Sequence, residues 1–480
     1  MTFINLFMRA ALLLALSFLL VSCGDDDDNG NGGMDPDPDP DPTESVEITD
    51  ETTELSGNMH GTLRSGRTYL LTGDLTVLPE REIVMEEGVR IESTAAGEAG
   101  GETFSFIIQG SFYSLGTEEN PNWITTIPEN RTMENWNQGY IGGFIGLVGA
   151  KDIVLKWTHM EYFGGRMRGA STVFDEGETI YGFYTEDENT RLIIEDSWFR
   201  FFLDDVLRPE GGKIAILRNT FEANGEIEGE TLNAKSGTPG VFAYNMIIGN
   251  ATNGPKTGSG GGLPTQSIID VYNNTIVSSG YRRIAPGRGG SMNIERGAGG
   301  YWYNNAVVNC RYGMRVVSDT DYERTFIGHT HYFGHGTFDD NEGPLSENFY
   351  PATGTIGVDF PEDHIVNDNL ENLDPLFVNY DATQFTQADY RFAHENSSIA
   401  NRNLSIIGDQ DFRLQSSSPL VGAGSTDAFV PNAVITEVGP RALTYPIPAP
   451  SADIGAFPTS GFNNGVGNRH SARDYYPPEN

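Results

Sequence analysis

The stretch Val271-Tyr272-Asn273-Asn274-Thr275-Ile276 decides the fold, because its pattern returns as Trp302-Tyr303-Asn304-Asn305-Ala306-Val307. In both stretches a small polar residue lies between an aromatic or aliphatic residue and an apolar one. Four earlier stretches share this element: Leu155–Met160, Ile194–Trp198, Leu217–Phe221 and Ala243–Ile247. The reference positions 158, 196, 219, 245, 274 and 305 are 38, 23, 26, 29 and 31 residues apart. These intervals indicate a solenoid with a core turn of about 22 to 25 residues and loop insertions of varied length.

The recurrent Asn has a physical explanation in a parallel solenoid. Each coil buries one side chain at the same bend, and stacked Asn side chains can hydrogen-bond along the axis. The alternating apolar residues beside them are expected to point into the tube and to stack on their counterparts. The insertions are expected to leave from one corner and to build a binding surface over one face.

Composition supports an all-β chain. Its 58 glycines, 20 tyrosines and 27 phenylalanines among 480 residues favour many strands and turns. Short strand-like runs separated by glycine, such as Thr68–Leu71 and Phe104–Ile108, extend the prediction toward the N-terminus.

Residues 150–320 resemble a right-handed parallel β-helix of the pectin-lyase-like type. The C-terminal part resembles the ending of secreted members of that superfamily, in four segments: Asp374–Phe377, Asp411–Leu414, Ser418–Leu420 and Asp453–Phe457. The resemblance covers most of residues 55–457 and implies the fold. It implies no single activity, because the superfamily includes lyases, hydrolases, epimerases and adhesins without catalytic function.

The N-terminus carries an export signal. A lone Arg9 precedes an apolar run, Ala10–Val21, which is too short to span a bilayer and is typical of a signal peptide. The following Leu20-Val21-Ser22-Cys23 resembles the bacterial lipobox, which implies lipidation of Cys23. The run Asp25–Asp28 resembles the export signal of Bacteroidota lipoproteins. We therefore expect a lipid-anchored protein of the outer membrane that faces the extracellular side.

The predicted organisation has four parts. Residues 1–22 are the signal peptide, and residues 23–54 form an acidic linker of Asp, Pro and Gly. Residues 55–460 form the β-helix domain, with an N-terminal cap portion (55–150), repeat coils (151–320) and C-terminal coils with a cap (321–460). Residues 461–480 form a polar tail. We expect a monomer.

Charge excludes one class of partner. The formal net charge is −37, and setting aside the thirteen acidic residues of Gly24–Glu54 and the single Arg9 leaves about −25 for residues 55–480. A nucleic-acid-binding protein needs a basic footprint, so nucleic acid is not an expected partner. If Cys23 is acylated, Cys310 has no disulfide partner and is expected to be a buried thiol.

The first candidate for catalysis is a cluster of arginines with one carboxylate: Arg282, Arg283, Arg288, Arg296 and Glu295. β-Elimination of a uronic-acid glycan needs a cation to neutralise the carboxylate and a base to remove the C5 proton. The alternative is that these arginines pair with nearby acidic residues.

The second candidate is the acid pair Asp204 and Asp205, which could serve as the two carboxylates of a glycosidase. The pair resembles the Asp-Asp of polygalacturonases, but the His-Gly and Arg-x-Lys motifs of that family are missing. The alternative is a turn or a calcium-binding loop.

Three further groups complete the candidates. Trp123 and Trp136 lie in an inserted loop and are expected to be exposed for stacking on sugar rings. His329, His331 and His335, with Asp339 and Asp340, could hold a metal, although their spacing matches no recognised site and the metal stays unknown. The acidic loop Glu186–Glu188 makes Ca²⁺ the one cofactor to consider, against its interpretation as a solvated charge cluster.

We therefore predict a cell-surface lipoprotein whose parallel β-helix binds extracellular polysaccharide. Whether it also processes the glycan stays open, and a polysaccharide lyase is favoured over a glycoside hydrolase if it does. A structural or adhesive envelope protein without catalysis is the remaining alternative.

Overall fold

A computed structural model describes residues 44–169, 171–226, 228–283, 289–334, 359–366, 372–384, 410–435 and 447–459. Cys23 and the rest of the signal and proximal linker lie outside the described residues, as does the polar tail. Among the described residues the first strand begins at Val46, within the stretch 23–54 assigned to the linker.

The described residues contain thirty-two strands. They are β1 (Val46–Ile48), β2 (Glu54–Leu63), β3 (Thr68–Val77), β4 (Glu82–Met85), β5 (Arg90–Ser93), β6 (Phe104–Ile108), β7 (Ser111–Leu115), β8 (Asn122–Thr126), β9 (Ile141–Gly146), β10 (Asp152–Lys156), β11 (Thr158–Glu161), β12 (Phe183–Thr185), β13 (Arg191–Glu195), β14 (Trp198–Arg200), β15 (Leu207–Pro209), β16 (Lys213–Leu217), β17 (Thr220–Glu222), β18 (Leu232–Ala234), β19 (Pro239–Ala243), β20 (Met246–Ile248), β21 (Pro255–Gly258), β22 (Ile268–Tyr272), β23 (Thr275–Val277), β24 (Met292–Glu295), β25 (Gly300–Tyr303), β26 (Ala306–Val308), β27 (Met314–Val316), β28 (Thr325–Gly328), β29 (His331–Phe333), β30 (Ile365–Val366), β31 (Phe377–Asn379) and β32 (Asp411–Leu414).

In the part of the chain that the structure describes, helical structure consists of short turns. One α-helical turn, α1, covers Gly97–Gly100. The 3₁₀ turns are Pro128–Asn130, Met133–Asn135, Tyr322–Arg324, Glu362–His364 and Ala382–Gln384. Within the described ranges, no helix is long and apolar enough to cross a bilayer.

The chain forms a right-handed parallel β-helix, as predicted. From β4 to β26, each strand pairs in parallel with the strand three places later in the chain. Each coil therefore contributes one strand to each of three sheets. The first sheet contains β10, β13, β16, β19, β22, β25 and β28, the second β11, β14, β17, β20, β23, β26 and β29, and the third β12, β15, β18, β21, β24 and β27. Strands β2 to β9 extend the same three sheets toward the N-terminus.

The predicted Asn stack is present at the bend between the first and second sheets. Asn219 Nδ2 donates to Asn245 Oδ1 over 3.1 Å, Asn245 to Asn274 over 3.1 Å, and Asn274 to Asn305 over 2.9 Å. Each amide group also donates to a main-chain carbonyl one coil earlier. The buried amides therefore satisfy one another and the turn backbone.

One register position in the sequence alignment was wrong. Ser197, rather than Asp196, continues the stack, because its main-chain N–H donates to Asn219 Oδ1 and its hydroxyl accepts from the N–H of Thr158. Asp196 lies at the preceding position, where the backbone is left-handed with φ of 49°. The same left-handed position is filled in later coils by Arg218, Tyr244, Asn273 and Asn304.

Apolar side chains fill the tube in vertical stacks, as the alternation predicts. On the first sheet the stack runs through seven coils: Leu155, Ile194, Ile216, Phe242, Val271, Trp302 and Ile327. Each of these side chains is at most 1% exposed. Full burial of each such side chain stabilises the fold by roughly 1.5 to 3 kcal/mol.

The C-terminal segments cover the outside of the second sheet at its C-terminal coils. Antiparallel strands β31 and β32 bring Phe377 and Phe412 against a second apolar cluster that includes Met246 and Val308. Ile454 and Phe457 belong to the same cluster. The segments recognised by resemblance at the C-terminus thus close one flank of the solenoid.

Candidate functional site

The outward face of the third sheet carries a line of side chains, one from each coil. Strand register places these residues side by side: Ile107, Ile145, Tyr184, Arg208, Asn233, Lys256, Asn293 and Arg315. We call this line the outer row. Its residues change from apolar at the N-terminal coils to polar and charged further along. Parallel strands are about 4.8 Å apart, so the outer row runs along the sheet with one side chain in each coil, although Ile145, Asn233, Lys256 and Asn293 are at most 9% exposed.

The middle of the outer row lies within a group of ionisable side chains that we call the charged cluster. Its members are Asp204, Asp205, Arg208, Glu210, Glu230, Lys235, Lys256 and Glu295. They come from β15, β18, β21 and β24 and from the turns beside them, so four consecutive coils contribute.

Lys256 joins two carboxylates in this cluster. Its Nζ lies 3.5 Å from Glu230 Oε1 and 3.5 Å from Glu295 Oε1. The side chains of Glu230 and Glu295 are each 13% exposed, so both can be reached from solvent. The two carboxylate oxygens are therefore separated by no more than twice 3.5 Å. This bound places the two carboxylates no further apart than the roughly 9.5 Å that is the largest separation of catalytic carboxyls in glycosidases.

Asp205 is the buried anchor of the cluster. Asn233 Nδ2 donates to Asp205 Oδ2 over 2.7 Å, the main-chain N–H of Glu230 donates to Oδ1 over 2.8 Å, and Arg208 Nη1 lies 3.0 Å from Oδ2. The Glu230 carboxyl also hydrogen-bonds the Asp205 side chain. Asp204 is at the rim, where its Oδ1 accepts the N–H of Asp205.

The two glutamates that flank Lys256 have opposite pKa shifts. Burial, and then the negative charge of Asp205, raises the pKa of Glu230 to about 7. Burial would also raise the pKa of Glu295, but the positive charge of Lys256 and a hydrogen bond from Asn293 outweigh it, and that pKa is lowered. A protonated carboxyl and a carboxylate can therefore coexist on this face near pH 7.

The other acidic and basic groups of the cluster respond to the same surroundings. Burial would raise the pKa of Asp205, but the hydrogen bond from Glu230 and the Arg208 guanidinium lower it overall. Burial, and then the charges of Arg208 and Lys256, lowers the pKa of Lys235 to about 8. Clustered perturbed groups of this kind are a feature of functional sites.

A glycine-rich loop, residues 258–262, forms one wall of the cluster. Gly261 has φ of +124°, and a Cβ at this position would lie 3.2 Å from Lys235 Cβ. A Cβ at Gly258 would lie 3.1 Å from Glu295 Cγ. The glycines thus let the backbone come close to the charged side chains.

Two amide oxygens of the outer row have no donor among the described residues. They are Asn233 Oδ1 and Asn293 Oδ1, and each residue is 3% exposed. Their Nδ2 groups bond Asp205 and Glu295, so their orientation on either side of Lys256 is fixed. Buried acceptors of this kind suit a ligand hydroxyl or a bound water.

Aromatic rings lie beside the cluster on its N-terminal side. Tyr181 and Tyr184 are partly exposed, and Phe174 packs edge-on against each with ring centroids 5.5 Å apart. The Arg208 guanidinium lies over the Tyr181 ring, 4.5 Å from its centroid. We call these three rings the aromatic patch.

The predicted arginine cluster does not converge. Arg282 is buried and donates to the main-chain carbonyls of Asn224, Gly225 and Gly249. Arg283 precedes β24 in the chain and pairs with Glu228. Arg296 follows β24, so it lies at the opposite end of that strand, and its side chain is 63% exposed. Arg288 lies outside the described residues. Of the five residues in this first catalytic candidate, Glu295 is the one that belongs to the charged cluster as defined above.

Both predicted stacking tryptophans are buried, so their expected exposure is wrong. Trp123 is 3% exposed and packs edge-on against His159 on the second sheet. Trp136 is 2% exposed and belongs to an apolar cluster with Tyr140 and Tyr162. Trp123 lies on strand β8 of the solenoid itself rather than in an inserted loop, and the loop that carries Trp136 folds back onto the solenoid.

The histidine pair does not share a strand face. His329 is in the bend before β29 with φ of 47°, and its Nδ1 lies 3.2 Å from the carbonyl oxygen of Ala423. His331 Nε2 lies 2.8 Å from the carbonyl oxygen of Leu373. His335, Asp339 and Asp340 lie outside the described residues. Across the part of the chain that is described, no group of three metal-ligating side chains occurs.

The acidic loop has local roles. Glu186 and Asp187 accept hydrogen bonds from the main-chain N–H groups of Val148 and Gly149, each over 3.0 Å.

Cys310 is 1% exposed, and burial raises its pKa to about 12, so the predicted buried thiol is confirmed.

Sequence reasoning missed Glu230, Lys235, Lys256 and the aromatic patch. A signal was present, because an apolar–polar–apolar triplet recurs at Leu207–Pro209, Leu232–Ala234, Met292–Ile294 and Met314–Val316. Its central residues form part of the outer row.

Comparisons with protein-family models, with curated proteins and with solved structures returned no match.

Proposed function

We propose that this protein binds extracellular polysaccharide along the outer row and hydrolyses it at the charged cluster. The observation that carries the proposal is the arrangement of Glu230 and Glu295 on either side of Lys256, with a raised pKa on one and a lowered pKa on the other. Glycoside hydrolysis requires one carboxylic acid and one carboxylate that flank the scissile bond.

In this proposal Glu230 is the general acid. Its proton is shared with Asp205, and transfer to the glycosidic oxygen leaves a Glu230 carboxylate that Lys256 and Asn253 stabilise, with Asn253 Nδ2 3.3 Å from Glu230 Oε1. Glu295 is the general base toward water, or the nucleophile. Asn293 and Lys256 hold it ionised. The aromatic patch gives the sugar rings an apolar face.

A uronic-acid lyase is the second candidate, and Lys235 is the observation that favours it. With a pKa lowered to about 8, Lys235 could remove a C5 proton while Arg208 or Lys256 neutralised the uronate. The domain's charge of about −25 weighs against a polyanionic substrate.

The place of action is proposed from the N-terminal sequence. Lipidation at Cys23 would anchor the protein to the outer membrane, facing outward, where extracellular glycans are accessible. Replacing Cys23 with Ser should move the protein from the membrane fraction to the soluble fraction. A Cys23→Ser protein that stays in the membrane fraction would contradict the anchor.

A polysaccharide panel tests the function. The protein is incubated with neutral and uronic-acid polysaccharides, and new reducing ends are followed together with absorbance of unsaturated products. Reducing ends without unsaturated products support hydrolysis, and unsaturated products support the lyase. Retention on a glycan gel without either product would leave a binding protein, and no retention at all would contradict both.

A further inference from the structure

A pocket of about 280 Å³ lies on the same face as the charged cluster, toward the N-terminus. It forms where the chain segment 165–181 covers the outward side of β6 and β9. Its volume is at the lower end for small-molecule sites, and therefore suits one sugar-sized group rather than a length of polymer.

The floor of the pocket is aliphatic. Ile107 and Ile145 of the outer row meet Ile180 and Val173 from the covering segment. A sugar with hydroxyls at every position would leave these methyl groups in contact with polar atoms. The floor therefore selects a ligand that presents an apolar substituent.

The remaining lining is polar and includes a carboxyl group. Asp74 Oδ1 accepts the main-chain N–H of Ser105 over 2.8 Å, which fixes the orientation of the Asp74 side chain at the pocket. Ser105, Thr103 and Ser171 contribute hydroxyl groups to the lining. Arg168 also lines the pocket, and its Nη2 lies 3.2 Å from Glu98 Oε2. Burial raises the pKa of Asp74, while the bond from Ser105 opposes that shift.

The pocket and the charged cluster are joined by the aromatic patch. Ile145 pairs in register with Tyr184, and Tyr184 pairs with Arg208. Two coils therefore separate the floor of the pocket from the first cation of the cluster. One glycan chain along the outer row could place a sugar in the pocket and a glycosidic bond near Glu230.

We propose that the pocket binds the acetamido group of an N-acetylhexosamine within the glycan. The methyl group packs on Ile107 and Ile145, the amide N–H donates to the Asp74 carboxyl group, and the amide oxygen accepts from a neighbouring hydroxyl. An acetamido group is neutral, which fits the acidic character of the domain. This inference rests on the proposed function, because it names the substrate class of that face.

The test is direct binding of monosaccharides to the purified protein, measured by saturation-transfer NMR and by titration. N-acetylglucosamine and N-acetylgalactosamine are the probes, and glucose, galactose and glucosamine lack the acetamido group. We expect at least about tenfold tighter binding of the acetylated sugars, since a site built around an amide N–H and a methyl group loses both with the plain sugars.

Three variants locate the binding. Asp74→Ala removes the acceptor, Ile145→Trp fills the pocket from an outward-facing position, and Asp175→Ala changes an exposed residue of the covering segment as a control. Asp74→Ala and Ile145→Trp should each lower acetamido binding at least tenfold with an unchanged melting temperature, and Asp175→Ala should not. If Ile145→Trp fails to fold, the effect of Asp74→Ala on acetamido binding still tests whether the pocket is the binding site.

The outcomes separate this inference from the proposed function. Hydrolysis of a glycan without acetamido groups, with no preference for the acetylated monosaccharides, overturns the inference and leaves the function intact. Acetamido binding that depends on Asp74, without cleavage of any glycan, supports the pocket and contradicts hydrolysis. Equal binding of all the sugars, or acetamido binding that Asp74→Ala does not change, overturns the pocket assignment.

Discussion

At the scale of single residues, Lys256 separates two glutamates whose surroundings give them different protonation states. Burial and the negative charge of Asp205 raise the pKa of Glu230 to about 7, whereas Glu295 receives a hydrogen bond from Asn293 and its pKa is lowered. Environment rather than residue type therefore assigns the roles of acid and base. Of the arginines that the sequence put forward, Arg282 bonds main-chain carbonyls and Arg283 pairs with Glu228, whereas Arg296 lies 3.8 Å from Glu295.

Replacing Glu230 with Gln should abolish most of the hydrolysis and leave glycan retention unchanged. The amide cannot donate an acidic proton, so the rate should fall by about 10²- to 10⁴-fold. Reducing ends and gel retention are measured on the same preparations. Glu228→Gln is the matched control, since Glu228 lies in the same loop and is 58% exposed. Full activity in Glu230→Gln would remove Glu230 from the mechanism.

The pH dependence distinguishes the two chemistries by its sign. A hydrolase that uses protonated Glu230 loses activity as pH rises through about 7, because its acid becomes ionised. A lyase that uses neutral Lys235 gains activity as pH rises through about 8. Rates from pH 5 to 9 on the best substrate of the panel decide between them, and a rate that rises through both values would contradict the hydrolase.

At the scale of the structural element, the bend between the first and second sheets shows what the sequence could predict. The recurrent Asn indicated both the coil and the hydrogen-bonded stack, since a buried amide at a repeated bend needs a partner from the next coil. The position at Asp196 was misplaced by one residue. The interval alone could not tell the left-handed bend residue from the stacked residue after it, and here the stacked residue is Ser197.

Replacing Asn245 with Ala should destabilise the domain by about 3 kcal/mol or more. The change removes the acceptor of the Asn219 N–H and a donor to the Ile216 carbonyl, and each such buried group costs about 1 to 3 kcal/mol, whereas Asn274 Oδ1 keeps the main-chain N–H of residue 245. Asn245→Ser should cost less, because Ser197 fills the same position in an earlier coil. Urea unfolding measures both variants, with exposed Asn189→Ala as the control. Equal losses in the Ala and Ser variants would argue against a hydrogen-bonding role.

Buried charge on the second sheet gives another prediction for this scale. Arg200 lies between Glu161 and Glu222, both fully buried, and its guanidinium contacts Glu161 at 2.5 Å. Arg200→Ala leaves buried carboxylates without their cation and should cost about 3 to 5 kcal/mol. Arg64→Ala, which removes exposed ion pairs, should cost less than about 1 kcal/mol. Comparable losses in urea unfolding would contradict this account.

At the scale of the whole molecule, the repeat predicted the fold of the described coils, but the candidate site is formed by residues that the repeat does not specify. The charged cluster draws on four coils and on turns of different lengths, so no single segment of sequence contains it. The unexpected burial of Trp136 has the same origin. Whether an inserted loop projects from the solenoid or folds back onto it depends on packing between distant segments, as at Trp136 and Tyr162.

Stability of the whole domain should fall as pH drops from about 6.5 toward 4. Burial lowers the pKa of His331 to about 4, so in this interval the unfolded chain binds a proton that the folded chain does not. The loss attributable to this residue is about 3 kcal/mol by pH 4. Urea unfolding at several pH values should show a shallower dependence in His331→Gln, while His60→Gln should follow the unmodified protein. An unchanged slope in His331→Gln would contradict the assignment.

The outer row receives a single side chain from each coil, and this has a consequence for how such a protein could diversify. Coils contact their immediate neighbours, so a coil duplicated between Tyr184 and Arg208 would move the pocket away from the acid pair by about 4.8 Å and leave each site intact. The number of coils between the two sites would then set the distance along a glycan between the recognised sugar and the bond that is cleaved.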